Sequence, residues 1–293
     1  VIKYNANELK ITFCNADKHP FDVVFRVSNN DIAFRYEIPQ HGERASIVMK
    51  SETTGFDFPE NTTTFICPQS KPMVGWKRAR PSYEEEYKPD EPISTPSQFG
   101  EGYTFPCLFH IGNNWALVSE TGVRSKYCAS HLSDASDNGL YTITFPNENE
   151  MNGLGSSTPG LALPGETPWR TITVGDNLKP IVETTVPFDV VEPLYEPSQK
   201  YEFGRSTWSW IVWQDPSINY DDQIKFIDLA AQMGYEFTLI DGGWEKNIGR
   251  KRMEELFKYA QSKGVGVFVW YNSNGYWNDA PQCAKQCMSN SID

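Results

Sequence analysis

The sequence is short of basic charge, of long apolar runs and of metal-spaced cysteines, and each shortage removes a class of function. Lys and Arg number 26 against 38 Asp and Glu, a net of 26 − 38 = −12. A chain this acidic repels polyanions, so nucleic acid and anionic membrane surfaces are poor partners. No apolar run approaches the roughly 20 residues that cross a bilayer, and membrane insertion is not expected. The 4 histidines, at positions 19, 41, 110 and 131, have no Ser or Cys partner suggested by spacing, which leaves a hydrolytic triad unsupported. The 6 cysteines (14, 67, 107, 128, 283 and 287) show no C-x-x-C spacing and no cluster with His, so they read as buried or free thiols rather than a zinc site. The chain opens Val1-Ile2-Lys3-Tyr4, with neither an initiator Met nor the apolar core of a signal peptide, so the true N-terminus is expected to lie elsewhere.

What is present is an aromatic share of 14% and enough length, at 293 residues, for one large domain or two ordinary ones. Up to about residue 203 the chain alternates in short β-branched and aromatic runs broken by Pro, Gly, Asn and Asp. That is how strands and turns are written. The spacing predicts strands at 9–13, 22–27, 32–36, 45–49, 115–119, 141–145, 171–174 and 181–186. Phe21, Val23, Phe25 and Val27 fall on one face, which should be dry while the other is partly wet. Many such strands in sequence imply a β-sandwich. The acidic run Tyr83-Glu84-Glu85-Glu86-Tyr87 reads as a solvated loop, 147–165 as a long loop, and 192–200, with Pro193 and Pro197, as a linker.

Near residue 204 the period lengthens. An aromatic strand is expected at 206–213, then a helix capped by Asn219 and stopped by Gly234. A strand at 237–240 runs into Asp241-Gly242-Gly243-Trp244, a helix carries Met253, Leu256, Phe257 and Ala260, and a third strand covers 265–270. Strand centres at 210, 239 and 268 lie 239 − 210 = 29 and 268 − 239 = 29 residues apart. Apolar strands in β/α units form a parallel sheet buried on both faces, and this even pitch suits a (β/α)8 barrel, which needs about 250 residues. The chain would then hold under half a barrel, leaving an open parallel edge.

Barrel chemistry sits at the carboxyl ends of strands. Those ends carry Gln214 and Asp215, then Asp241 and Trp244, then Tyr271, Asn272, Asn274, Trp277 and Asn278. Flat aromatic faces edged by amides and carboxylates suit a sugar. Trp208 and Trp210 share a face and are candidate stacking residues, with core filling as their bland alternative. Trp213, of opposite parity, should pack against helices. Asp241, between an apolar strand and two glycines, either faces the ligand or accepts backbone N–H bonds in its own loop.

The ordered set Val27, Ala33-Phe34-Arg35-Tyr36-Glu37, Ser119-Glu120-Thr121, Thr167-Pro168-Trp169-Arg170 and Val174-Gly175-Asp176 resembles the N-terminal half of glycoside hydrolase family 97. Gly204-Arg205-Ser206-Thr207-Trp208-Ser209-Trp210, Phe226 to Gly234, and Leu239-Ile240-Asp241-Gly242-Gly243-Trp244 resemble the start of its barrel. The resemblance implies a multidomain β plus α/β chain: a β-sandwich (super-sandwich) over 1–191 lacking its first strands, a linker over 192–203, and a truncated (β/α)8 barrel over 204–293. It implies a periplasmic or secreted glycosidase acting on an oligosaccharide or α-glycoside, α-glucosides being favoured over α-galactosides. Trp208, Trp210, Asp241, Trp244 and Asn272 are the implied substrate-binding residues. The family's calcium is held by carboxylates, and Glu120 matches the one supplied by the sandwich. The catalytic carboxylates come from later strands, so no catalytic residue is assigned and these 293 residues should not turn over substrate. A non-catalytic carbohydrate-binding fragment is the alternative.

Overall fold

Alternation in the first half of the chain becomes β1 (Asn7–Cys14), β2 (Pro20–Val27), β3 (Asp31–Ile38), β4 (Ser46–Val48), β5 (Gly55–Asp57), β6 (Thr62–Phe65) and β7 (Glu91–Pro92). It continues as β8 (Cys107–Ile111), β9 (Asn114–Thr121), β10 (His131–Leu132), β11 (Leu140–Thr144), β12 (Gly160–Ala162), β13 (Gly165–Glu166) and β14 (Trp169–Gly175). The computed structural model describes residues 3–71, 85–135, 139–148, 150 and 156–270. Two units are distinguished, Val1–Leu194 and Tyr195–Asp293. The division falls inside the exposed segment 192–203.

In the first unit, one antiparallel sheet runs β1-β2-β3-β14-β9-β8-β6-β7, with β13 also on β3. A second sheet is ordered β10-β11-β5, and β12 pairs β4. The main core lies between the first two. Cys107, Phe109 and Val118 from the large sheet meet Phe56, Leu132, Tyr141 and Ile143 from the small one. Phe109 sits 5.4 Å edge-on to Tyr141 and 4.0 Å stacked on Phe58, the geometries that aromatic quadrupoles favour. The Tyr141 hydroxyl donates to the Ile93 carbonyl at 2.9 Å, so this fully buried ring leaves no polar atom unpaired.

Two expectations need correction here. The segment 181–186 is not a strand: α1 (Lys179–Glu183) and α2 (Val186–Asp189) take its place. Pro180 and Pro187 sit in first helical turns, where their fixed φ is already correct. Val186 and Val190, four apart, then bury together against Val24, Ala33 and Trp169. That packing also explains why Val23 and Val24 are both buried: the supposedly wet face of β2 is covered by these short helices.

The second unit holds β15 (Ser206–Trp208), α3 (Ser209–Trp213), α4 (Tyr220–Met233), β16 (Phe237–Ile240), α5 (Trp244–Asn247), α6 (Arg250–Ser262) and β17 (Gly266–Val269). The strands pair in parallel, in the order β15-β16-β17. The strand expected at 206–213 stops at Trp208. The buried Ser209 hydroxyl receives Gln223 Nε2 and Ser217 Oγ, both at 2.9 Å, and this polar network pulls the chain off the sheet into α3. Asn219 caps α4 by accepting Asp222 N at 3.0 Å, and Gly234, at φ +66°, ends it. Ile227, Ala230, Ile240, Met253, Leu256 and Ala260 form the core beneath the sheet. Among the described residues no helix is long and apolar enough to cross a membrane.

Candidate functional site

Parallel sheets present their ligands at the carboxyl ends of their strands, where backbone direction brings successive loops to one edge. Three tryptophans meet there: Trp208 at the end of β15, Trp210 one turn on in α3, and Trp270 just past β17. Trp208 lies in the middle, stacked on Trp210 at 5.9 Å and 23° and tilted against Trp270 at 6.1 Å. Its indole Nε1 donates to Asp241 Oδ2 at 2.7 Å. Asp241 Oδ1 accepts Gly242 N at 2.6 Å. Asp241 therefore accepts a backbone N–H of its own loop, the second of the two readings, and the Trp208 indole N–H besides. Burial pushes its carboxyl pKa up, the two hydrogen bonds oppose that, and the charge of Asp215 adds to it. Asp215 in turn accepts Trp210 Nε1 at 2.7 Å.

The cluster differs from the expected mouth in detail. Trp208 lies between the other two rings, Trp210 is half-buried against the core of the second unit, and Trp270 is 44% exposed. Trp270 was not among the expected contacts, although its place at the end of a predicted strand was the signal for it. Trp244, expected at the rim, is 5% exposed and packs in the core with Ile248 and Met253. Gly243, at φ +91°, starts α5 there. Trp213 meets Phe226 of α4 edge-on at 5.1 Å but is 47% exposed, and because it lies in α3 the strand parity read for it does not apply. Asn272, with Tyr271, Asn274, Trp277 and Asn278, lies outside the described residues.

Glu120, in the first unit, occupies a different environment. It sits opposite Arg170 in the β9–β14 ladder and is ion-paired to it. Its Oε1 accepts Ser130 N at 2.8 Å and its Oε2 accepts Ser130 Oγ at 2.7 Å. Arg170, fully buried, forks onto Glu52 through Nε at 3.0 Å and NH2 at 2.6 Å. Burial works against the guanidinium charge, but the hydrogen bonds to Glu52 and the charges of Glu52 and Glu120 outweigh it and raise the Arg170 pKa. Calcium takes six to eight oxygens. Among the described residues no three Asp, Glu, His or Cys side chains stand close enough to hold a metal, and the Glu120 carboxylate already answers three donors. These residues do not by themselves make a calcium site. A cleft of about 960 Å³ in the same unit is lined by Lys10, Asp22, Glu37 and Glu166. Four of its charges are paired, Lys10 reaching Asp22 and Glu37 at 2.8 Å and Arg35 reaching Glu166 at 2.9 Å, while Arg124 and Lys126 also line it, Arg124 donating to the Glu192 carbonyl at 3.1 Å.

A crystal structure of a beta-arabinopyranosidase is 62% identical, with a TM-score of 0.89 over 95% of this chain and 44% of that one. A probable retaining alpha-galactosidase from Streptomyces bingchenggensis is 26% identical over 85% of this chain and 37% of its own length. The retaining alpha-galactosidase of Bacteroides thetaiotaomicron is 21% identical over 94% of this chain and 46% of its own length. The chain thus spans less than half of each of these relatives. Residues 1–193 match the family described as Glycosyl-hydrolase 97 N-terminal. As that match takes in the whole sheet system of the first unit, the chain belongs to glycoside hydrolase family 97.

Proposed function

We propose that the complete enzyme hydrolyses glycosides whose ring has the galactose arrangement of hydroxyls, with β-arabinopyranosides as preferred substrates. One observation carries this reading: the 62% identity to a beta-arabinopyranosidase across 95% of the chain. Sugar chemistry reconciles it with the more distant alpha-galactosidases. A β-L-arabinopyranoside has the ring hydroxyls and anomeric configuration of an α-D-galactopyranoside and lacks only the hydroxymethyl group on C5. One pocket can therefore read both, and filling or excluding that one group is worth roughly 1–3 kcal/mol. An α-glucoside, expected from the resemblance alone, inverts the C4 hydroxyl and would leave a buried polar partner unmatched, a larger penalty.

Within this reading, the three parallel strands and the helices between them open a (β/α)8 barrel, and the tryptophan cluster at the strands' carboxyl ends lies where that barrel would bind sugar. A retaining mechanism needs two carboxyl groups about 5–5.5 Å apart. We assign neither to the described residues. Asp241, with both oxygens bound, shapes the site. A calcium requirement, with Glu120 as the carboxylate that the sandwich would supply, belongs to the same proposal, and six to eight oxygens would be needed in all. A periplasmic or secreted location belongs to the same proposal.

The test is the ranking of kcat/KM for the full-length enzyme on 4-nitrophenyl glycosides. The expected order is β-L-arabinopyranoside, then α-D-galactopyranoside about 10–200-fold lower, then α-D-glucopyranoside. A preference for the glucoside would overturn the reading. The 293-residue chain alone should release no nitrophenol from any of them.

A further inference from the structure

The turn that follows α3 holds its backbone in an uncommon state. Gln214 sits at φ +56° and ψ −159°, a region that residues other than glycine rarely adopt. The Gln214 N–H and its side-chain Nε2 both donate to the Trp210 carbonyl, at 2.8 and 3.1 Å, which folds the chain back on itself. Asp215, the next residue, thereby meets the indole of Trp210, five positions earlier, at 2.7 Å. The two stacked indoles are thus tied differently. Trp208 is tied by a carboxylate that is 7% exposed and accepts one bond on each oxygen, whereas Trp210 is tied by a carboxylate on the exposed loop. Trp208 covers one face of the Trp210 ring.

We infer that Asp215 is a positioning residue, placed by the strained turn at Gln214, which holds the indole of Trp210 as the outer stacking face for a pyranose ring. This rests on reading the carboxyl edge as a sugar site. The physical argument is one of preorganisation. The indole of Trp210, half-buried in α3, has two side-chain torsions, and a sugar that stacked on it would have to freeze what freedom they keep. The charge-assisted N–H bond freezes them beforehand, so the ordering cost is removed from binding. The strain at Gln214 is tolerated because the same turn makes that bond.

The experiment follows indole N–H resonances of the chain labelled with 15N-tryptophan, with Trp210 assigned through W210F, and measures calorimetric affinity for methyl β-L-arabinopyranoside. D215A should move the Trp210 resonance upfield, speed its exchange with water, and weaken sugar binding about three- to ten-fold. D215N keeps an acceptor oxygen and should restore both. In the W210F background, D215A should add no further loss of affinity, because its effect passes through the lost N–H. An unmoved resonance in D215A overturns the positioning role. A moved resonance with unchanged affinity shows a merely structural bond and also overturns the inference. If the wild-type chain binds no sugar while D215A still moves the resonance, the sugar reading of this edge fails and the tie between Asp215 and Trp210 stands. Should D215A fail to fold, D215N and W210F carry the same comparison.

Discussion

Arg170 shows what a single buried charge demands of its neighbours. It is fully buried, yet three strands' worth of sequence supplies its partners: Glu52 before β5, Glu120 at the end of β9 and Ser130 beside β10. Removing the guanidinium strands two carboxylates in a poorly hydrated interior, so R170M should cost about 3–5 kcal/mol in urea unfolding of the chain. A loss under about 1 kcal/mol would mean that water reaches the cluster. His131 makes a second residue-scale prediction. Burial pulls its pKa from the ordinary 6.5 down to about 4, only partly offset by a backbone hydrogen bond at Glu101. A histidine depressed in the folded state contributes stability above its unfolded pKa, and that stability is lost as pH falls through the folded value. The chain should therefore lose up to about 3 kcal/mol between pH 6.5 and 4, and H131N should flatten that slope. Neither residue's setting was legible in the sequence. Arg170 was visible within Thr167-Pro168-Trp169-Arg170, but its partner Glu52 lies 118 residues away, and only the folded sheet order brings the two together.

Elements were legible where local chemistry and tertiary packing agree. Asn219 and Gly234 bracket α4 as read, because a cap and a left-handed stop act within one turn. N219A should cost about 1 kcal/mol by thermal or urea unfolding. G234A meets no atom within 4 Å, so its cost is backbone strain alone, about 1 kcal/mol. G102A should cost more: its Cβ would fall 2.0 Å from the Leu132 carbonyl oxygen, backbone that cannot move without breaking the Tyr103–Leu132 bridge. Elements were misread where packing overrules propensity. The β-branched run at 181–186 looks like a strand, but two prolines and the burial of Val186 and Val190 turn it into helices. The aromatic run after Ser206 looks like one long strand, and the buried Ser209 ends it early. Period-two patterns also missed β5 to β8, β10, β12 and β13, which are two to five residues long and carry few alternations.

At the scale of the molecule, the change of period near residue 204 and the 29-residue pitch point to a strand-rich unit followed by a parallel β/α unit, and the chain divides at Leu194, with the two short helices α1 and α2 in the first unit. The same reading directs attention to the carboxyl edge of the second sheet, where α3 replaces the end of the expected strand. The first unit depends on its inter-sheet aromatic core, so F109A should destabilise it by about 3–5 kcal/mol. The account as a whole claims that sugar is held at the carboxyl edge of the parallel strands. The most direct measurement is a titration of the 15N-tryptophan-labelled full-length enzyme with methyl β-L-arabinopyranoside, followed at each indole N–H. The account predicts that Trp208, Trp210 and Trp270 shift together and saturably, while Trp115 and Trp169 of the first unit stay in place. Shifts confined to Trp115 or Trp169, with the cluster silent, would contradict it.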